Sequence, residues 1–114
     1  MDKCIFCMIC NKEIPSDIVY ETDKVLVFRD INPVAPVHLL LVPKQHIESV
    51  NDLNADNAAI VADIHLAAAA AAKKTGIADK GYRLITNCGE NAGQTVKHLH
   101  YHLIGGKCLG PKIL

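Results

Sequence analysis

The chain has 114 residues, half of them apolar, and its twelve Lys and Arg balance twelve Asp and Glu. Bulk attraction to nucleic acid or to an anionic membrane is therefore not expected, and any anionic ligand must be held by local groups. The length suits a single domain over residues 1–114.

No run of about eighteen apolar residues offers a membrane span. The start Met1-Asp2-Lys3-Cys4 lacks the long apolar stretch of a secretory leader. A cytoplasmic protein is expected, with Cys4, Cys7, Cys10, Cys88 and Cys108 as reduced thiols or metal ligands.

In chain order, CIFCMICNKEIP reads as a short helical turn ending before Pro15. DIVYET and KVLVFRDI read as strands joined at Thr22-Asp23-Lys24, the second carrying the β-branched and aromatic residues Val25, Val27, Phe28 and Ile31. INPVAPVH carries two prolines and must be a loop or extended connection. HLLLVP is a third strand closed by Pro43, and a short helical turn is expected in KQHIESVNDL.

One strong helix follows, capped by Asn54 or Asp56. Its apolar face is Ile60, Ile64 and the alanines at 67, 68, 71 and 72. Lys73 and Lys74 suit the negative end of the helix dipole, and Gly76 suits the C′ position. YRLITN is a fourth strand, CGENAGQT a glycine-containing loop, and VKHLHYHLIGG a fifth strand. Strands grouped around one long helix, with too few crossovers for a parallel sheet, imply an α+β fold with an antiparallel sheet.

The chemistry concentrates in the fifth strand. Side chains alternate along a strand, so His98, His100 and His102 share one face and Leu99, Tyr101 and Leu103 the other. At about 3.3 Å per residue the outer two Cα atoms lie about 13 Å apart. Three imidazoles so spaced do not easily converge on one metal at about 2.0 Å. Adjacent members can share an ion, or each can have its own task. Just upstream, Asn87, Gly89, Gly93, Gln94 and Thr95 form a loop that can bring backbone N–H groups close to an anion. Near neutral pH an imidazole keeps one unprotonated nitrogen and can attack phosphorus, while a neighbouring imidazole donates a proton.

GQTVKHLHYHLIGG resembles the histidine-triad motif, in which three histidines alternate with apolar residues. The upstream stretch IFCMICNKEIPSDIVYETDKVLVFRDINPVAPVHLLLVPKQHI and the segment KGYRLITNCGENAGQTV resemble the Hint-like branch of that family. Only the tail CLGPKIL lacks a match. The resemblance implies a five-stranded antiparallel sheet with one long helix and a short N-terminal helix, paired into a homodimer. It also implies hydrolysis at the α-phosphorus of purine nucleoside 5′-monophosphate derivatives, of the phosphoramidase type, through a covalent nucleotidyl-histidine.

In that reading His100 is the nucleophile, His102 assists at the phosphate and leaving group, the His98 carbonyl sets the His100 tautomer, and His38 supports the site. Asn87, Gly93, Gln94 and Thr95 match phosphate contacts, and Asp30 matches the residue that holds the ribose hydroxyls. Ile5, Phe6, Ile9, Phe28, Ile31 and Leu40 match the walls of the purine pocket. His102, where the transferase branch typically has Gln, favours hydrolysis. Alternatives of the same resemblance are a dinucleoside polyphosphate hydrolase and a nucleotide-binding regulatory module with weak activity.

Cys4 and Cys7 form a CxxC, which alone is half a zinc site or a redox pair. Some relatives hold a structural zinc with such a pair, a histidine after a KxH-like stretch and the first triad histidine. The resemblance thus implies a structural Zn²⁺ on Cys4, Cys7, His46 and His98, with no catalytic metal.

Overall fold

A computed structural model describes residues 4–114; the N-terminal start read above lies outside the described residues. Helix α1 covers Ile5–Cys10. Strands β1 (Ile18–Glu21), β2 (Val25–Arg29) and β3 (Val37–Pro43) follow, then helix α2 (Ala59–Lys74) and strands β4 (Tyr82–Thr86) and β5 (Tyr101–Gly105). The strands form one antiparallel sheet in the order β1-β2-β3-β5-β4. The expected α+β architecture is present, with both its helices. Among the described residues, no helix is long and apolar enough to cross a membrane.

The apolar runs of β2 and β3 follow from the layering. A half-covered antiparallel strand alternates apolar and polar residues, whereas these two are covered on both faces. Val25, Val27, Leu39 and Leu41 face α2, where they meet Ile60, Ile64, Ala67, Ala68, Ala71 and Ala72. Leu26, Phe28, Leu40 and Val42 face the other way and pack with Phe6 and Ile9 of α1. The alanine stripe lets α2 lie close against the sheet, as its sequence suggests.

α2 ends as its residues predict. Gly76 adopts a left-handed φ of 80°. The Gly76 N–H bonds the Lys73 carbonyl and the Ile77 N–H bonds that of Ala72, which makes a Schellman motif. Its beginning differs from expectation. The residue before the helix is Ala58, which makes no side-chain cap. Asn54 instead caps the turn leading into the helix, its Oδ1 accepting from the Asp56 and Asn57 N–H groups. Asn57 Oδ1 returns a bond from the Asn54 N–H. Local Asx chemistry at two Asn residues thus moves the helix start downstream. The expected turn in KQHIESVNDL is a 3₁₀ turn at Val50–Asp52 with Ser49 capping it.

The fifth strand is shorter than VKHLHYHLIGG suggests. Its ladder begins at Tyr101, opposite Leu41 of β3 and Thr86 of β4. Upstream of this point β4 has ended and β3 runs toward Pro43, which has no N–H to give. His98–His100 continue as extended chain held by other bonds: the Leu99 N–H to the Ile47 carbonyl at 2.6 Å, and Thr86 Oγ1–H to the His100 carbonyl at 2.7 Å. At the far end of β5, a Cβ on Gly105 would meet Ile77 Cδ1 at 2.8 Å and Tyr82 Cβ at 3.2 Å, so a side chain there would require Ile77 to shift.

Candidate active site and metal-ligand cluster

The alternation read from HLHYH survives beyond the ladder. Leu99 and Leu103 are buried in the α2-side core, with Tyr101 packed against it. The three histidines occupy the α1 side. The Phe6 ring stands edge-on to His98 and His100, at centroid separations of 5.9 and 5.0 Å. His100 and His102 are 5.4 Å apart. His38 joins them because His102 pairs with Leu40, two residues along β3 on the same face.

Hydrogen bonds assign the tautomers. His100 Nδ1 lies 2.7 Å from the His98 carbonyl oxygen. A carbonyl only accepts, so Nδ1 carries the proton and Nε2 keeps a lone pair. The Val34 N–H donates to His38 Nδ1 at 3.1 Å. His38 Nε2 therefore carries the proton of a neutral ring and can donate it to His102 Nδ1 at 2.9 Å. That leaves the proton of a neutral His102 on Nε2. Asp30 Oδ2 lies 3.4 Å from His38 Nε2 and offers that N–H a second acceptor. Burial, then the neighbouring His100 and His38, holds His102 below the usual histidine range, with Asp30 acting the other way.

An apolar cavity of about 450 Å³ adjoins the histidines and is lined by Ile5, Phe6, Ile9, Phe28, Asp30, Ile31 and Leu40. Its volume is that of a small-molecule pocket. Every proposed nucleobase-wall residue is in it, although Ile31 sits at the rim with 91% of its surface exposed. Ile14, Pro15, Ser16, Asp17 and Arg29 complete the wall. Sequence reasoning missed them: the first four lie in the irregular stretch between α1 and β1, where no periodic pattern marks a wall. Asp30 Oδ1 accepts the Asn32 N–H at 2.8 Å, and its carboxylate retains lone pairs for a further donor. A second cavity, beside Gly76, Lys80, Gly81 and Lys107, contains none of the candidate residues.

The glycine loop is ordered by Gln94. Its Oε1 accepts the Gly89 N–H, while its Nε2 donates to the carbonyls of Glu48 and Val96. Both amide protons are thus engaged by backbone, and Gln94 clamps the loop rather than presenting a free donor. Gly89 and Gly93 take φ of 87° and 84° on either side of a 3₁₀ turn at Glu90–Ala92, a path only glycine follows without strain. Asn87 directly follows β4, and Thr95 is exposed beside Cys4 and His46.

Cys4, Cys7, His46 and His98 bring one donor atom each to within 4.8 Å of the others. His98 Nδ1 is 3.3 Å from Cys4 Sγ, 3.5 Å from Cys7 Sγ and 3.2 Å from His46 Nδ1; Cys7 Sγ and His46 Nδ1 are 3.2 Å apart. Bonds of about 2.3 Å to sulfur and 2.0–2.1 Å to nitrogen give a tetrahedron with edges of about 3.3–3.8 Å, so the donor set is close to the size a zinc ion needs. The buried His98 donates its Nε2–H to the Pro43 carbonyl at 2.8 Å, which leaves Nδ1 bare and aimed into the cluster. Burial, then Cys4, pushes the Cys7 thiol up to about 11. The residues present fit a closed Cys₂His₂ metal site.

Sheet, histidine run and cavity together define a nucleotide-scale site on a small α+β scaffold. The family model described as "Scavenger mRNA decapping enzyme C-term binding" matches residues 3–112. The purine nucleoside phosphoramidase of Escherichia coli K12 is 46% identical over 112 residues, covering 98% of this chain and 94% of that protein. A histidine-triad family hydrolase from Clostridium thermocellum superposes with a TM-score of 0.98 at 58% identity, covering 100% of this chain and 99% of the other. A histidine triad protein from Clostridium difficile gives 0.93 at 52% identity, covering 98% and 96%. The chain belongs to the histidine-triad family. It is an enzyme of the hydrolase type within that family.

Proposed function

We propose that the protein hydrolyses purine nucleoside 5′-monophosphate derivatives, nucleoside phosphoramidates in particular, through a covalent nucleotidyl-His100. The observation that carries this reading is the His100 Nδ1–H bond to the His98 carbonyl, which leaves Nε2 unprotonated. The named activity of the Escherichia coli relative supports the substrate class.

The Nε2 lone pair forms a bond to the α-phosphorus while the bond from phosphorus to the leaving amine breaks. The departing nitrogen takes the electron pair and a proton from His102. An anionic phosphate beside His102 supplies the opposite charge that favours its protonated form, and Asp30 can accept the His38 N–H while His102 is doubly protonated. Water then attacks phosphorus, gives a proton to His102 and returns the electron pair to Nε2. A nucleoside monophosphate leaves. Asn87, Gly93 and Thr95 face the phosphate in this arrangement, with Gln94 holding their loop. Asp30 accepts from the ribose hydroxyls, and Ile5, Phe6, Ile9, Phe28, Ile31 and Leu40 enclose the base.

Adenosine phosphoramidate mixed with enzyme and quenched in alkali within one turnover should leave one nucleotidyl group on the peptide containing His100, read by mass spectrometry. Complete single-turnover conversion with no adduct at any sampled time would falsify the covalent route.

Cys4, Cys7, His46 and His98 are the residues proposed to hold a structural Zn²⁺. When bound, the ion joins α1 to the segments on either side of it, and the hydrolysis uses none of its chemistry. The protein is further proposed to be a cytoplasmic homodimer. Free thiols at all five cysteines suit a reducing compartment. β4 lies at an edge of the sheet with β5 as its sole neighbour, and the α2 surface exposes Leu66. A second copy pairing at that edge would cover both. Sedimentation equilibrium should return twice the chain mass of 12.4 kDa; a single-chain mass at micromolar concentration rules the dimer out.

A further inference from the structure

α1 is six residues long and does two jobs at once. Cys4 at its N-cap and Cys7 within it belong to the metal-ligand cluster. Ile5, Phe6 and Ile9 form one wall of the cavity. A helix this short has little stability of its own.

Its anchors are few. Among the described residues, the loop and cap backbone hydrogen bonds of residues 4–14 all close within that segment, as in Met8 N–H to Cys4, Asn11 N–H to Cys7 and Glu13 N–H to Met8. What joins it to the sheet is the packing of Phe6 and Ile9, with the partly buried Cys10 and Ile14 beside them, the exposed Lys12–Glu21 ion pair and the Cys/His cluster. Exposed ion pairs contribute little. The position of the cavity wall therefore depends on this apolar packing and on whatever holds the four donors together.

We infer that the metal cluster and the nucleotide cavity are thermodynamically linked through α1: a metal on Cys4, Cys7, His46 and His98 tightens nucleotide binding, and nucleotide tightens metal binding by the same factor. The inference rests on the nucleotide reading of the cavity proposed above. A metal clamps α1 at Cys4 and Cys7, so the base meets a wall already in place. A base packed against Ile5, Phe6 and Ile9 holds the same helix from its other side and keeps the two thiolates beside His46 and His98. Reciprocity is required of any such coupling, and its usual size is about 5- to 150-fold.

Adenosine 5′-monophosphate and zinc are the probes. Calorimetry should show the zinc-loaded protein binding the nucleotide about tenfold tighter than the metal-free protein. Competition with a chromophoric chelator should show zinc held tighter by the same factor when nucleotide is saturating. The Phe6→Ala protein retains all four ligands and should still bind zinc, with both factors reduced toward one. Equal nucleotide affinity with and without zinc overturns the linkage and leaves the proposed hydrolysis intact, as does failure to bind zinc at all. A zinc-loaded protein with no affinity for the nucleotide overturns both. If circular dichroism shows the metal-free chain unfolded throughout, the coupling passes through global folding, and the α1 route is wrong.

Discussion

Replacing His100 with Ala should lower kcat/KM toward a nucleoside phosphoramidate by about 10⁴-fold or more, about 5.5 kcal/mol of transition-state stabilisation. The expected loss is large because the ring is the bond-forming atom's only carrier in the proposed reaction. His102 is near the proposed phosphate position too, but its Nδ1 is turned toward His38 Nε2, so it is placed to pass protons rather than to attack. His102→Ala should cost less, about 10²- to 10⁴-fold, the range of a general acid. Nucleotide binding should survive in both variants, because the cavity lining contains neither ring. Steady-state rates with isothermal titration of product distinguish the cases. An H100A protein within tenfold of the parent would mean that water attacks phosphorus directly.

Removing the proposed zinc ion should have the largest effect on stability. A ligand that binds only the folded state adds about 4 kcal/mol when its free concentration is about 1,000 times its Kd. For a chain of this size that corresponds to roughly 10–20 °C in Tm. Chelation of zinc-loaded protein, or the Cys7→Ser substitution, should produce a drop of that order, measured by scanning calorimetry at fixed free zinc. The fall should be steep in the region of α1, since Cys4 and Cys7 are the residues that join it to His46 and His98. An unchanged Tm after complete chelation, verified by elemental analysis, would show that the four side chains hold together without an ion.

Much of this architecture is written in local patterns. The uninterrupted apolar runs VLVF and LLLV mark β2 and β3 because both faces of the sheet are covered. Four alanines at helical spacing mark the face of α2 that meets the sheet. Alternation in HLHYH places three imidazoles on one side even though His98 and His100 lie outside the ladder. What could not be read depends on distant partners or on which local turn the backbone chooses. The point at which β5 stops pairing is set by where β3 and β4 end. The α2 cap was misplaced because two asparagines satisfy one another in a preceding turn. Gln94 looked like a ligand-facing donor, and only the approach of the Glu48 carbonyl shows that its amide is already engaged. The wall contributed by Ile14 to Asp17 carries no periodic signal at all.

His100 lies one residue outside the hydrogen-bonded ladder, fixed by its own Nδ1–H and by Thr86 at its carbonyl. A residue within a ladder cannot translate without dragging the paired strands on either side. In the proposed reaction the phosphorus centre travels toward the incoming atom and back again as the adduct forms and clears. Seated just off the end of the paired region, the imidazole can follow that travel by small torsional adjustments, while Tyr101 onward keeps the sheet in register.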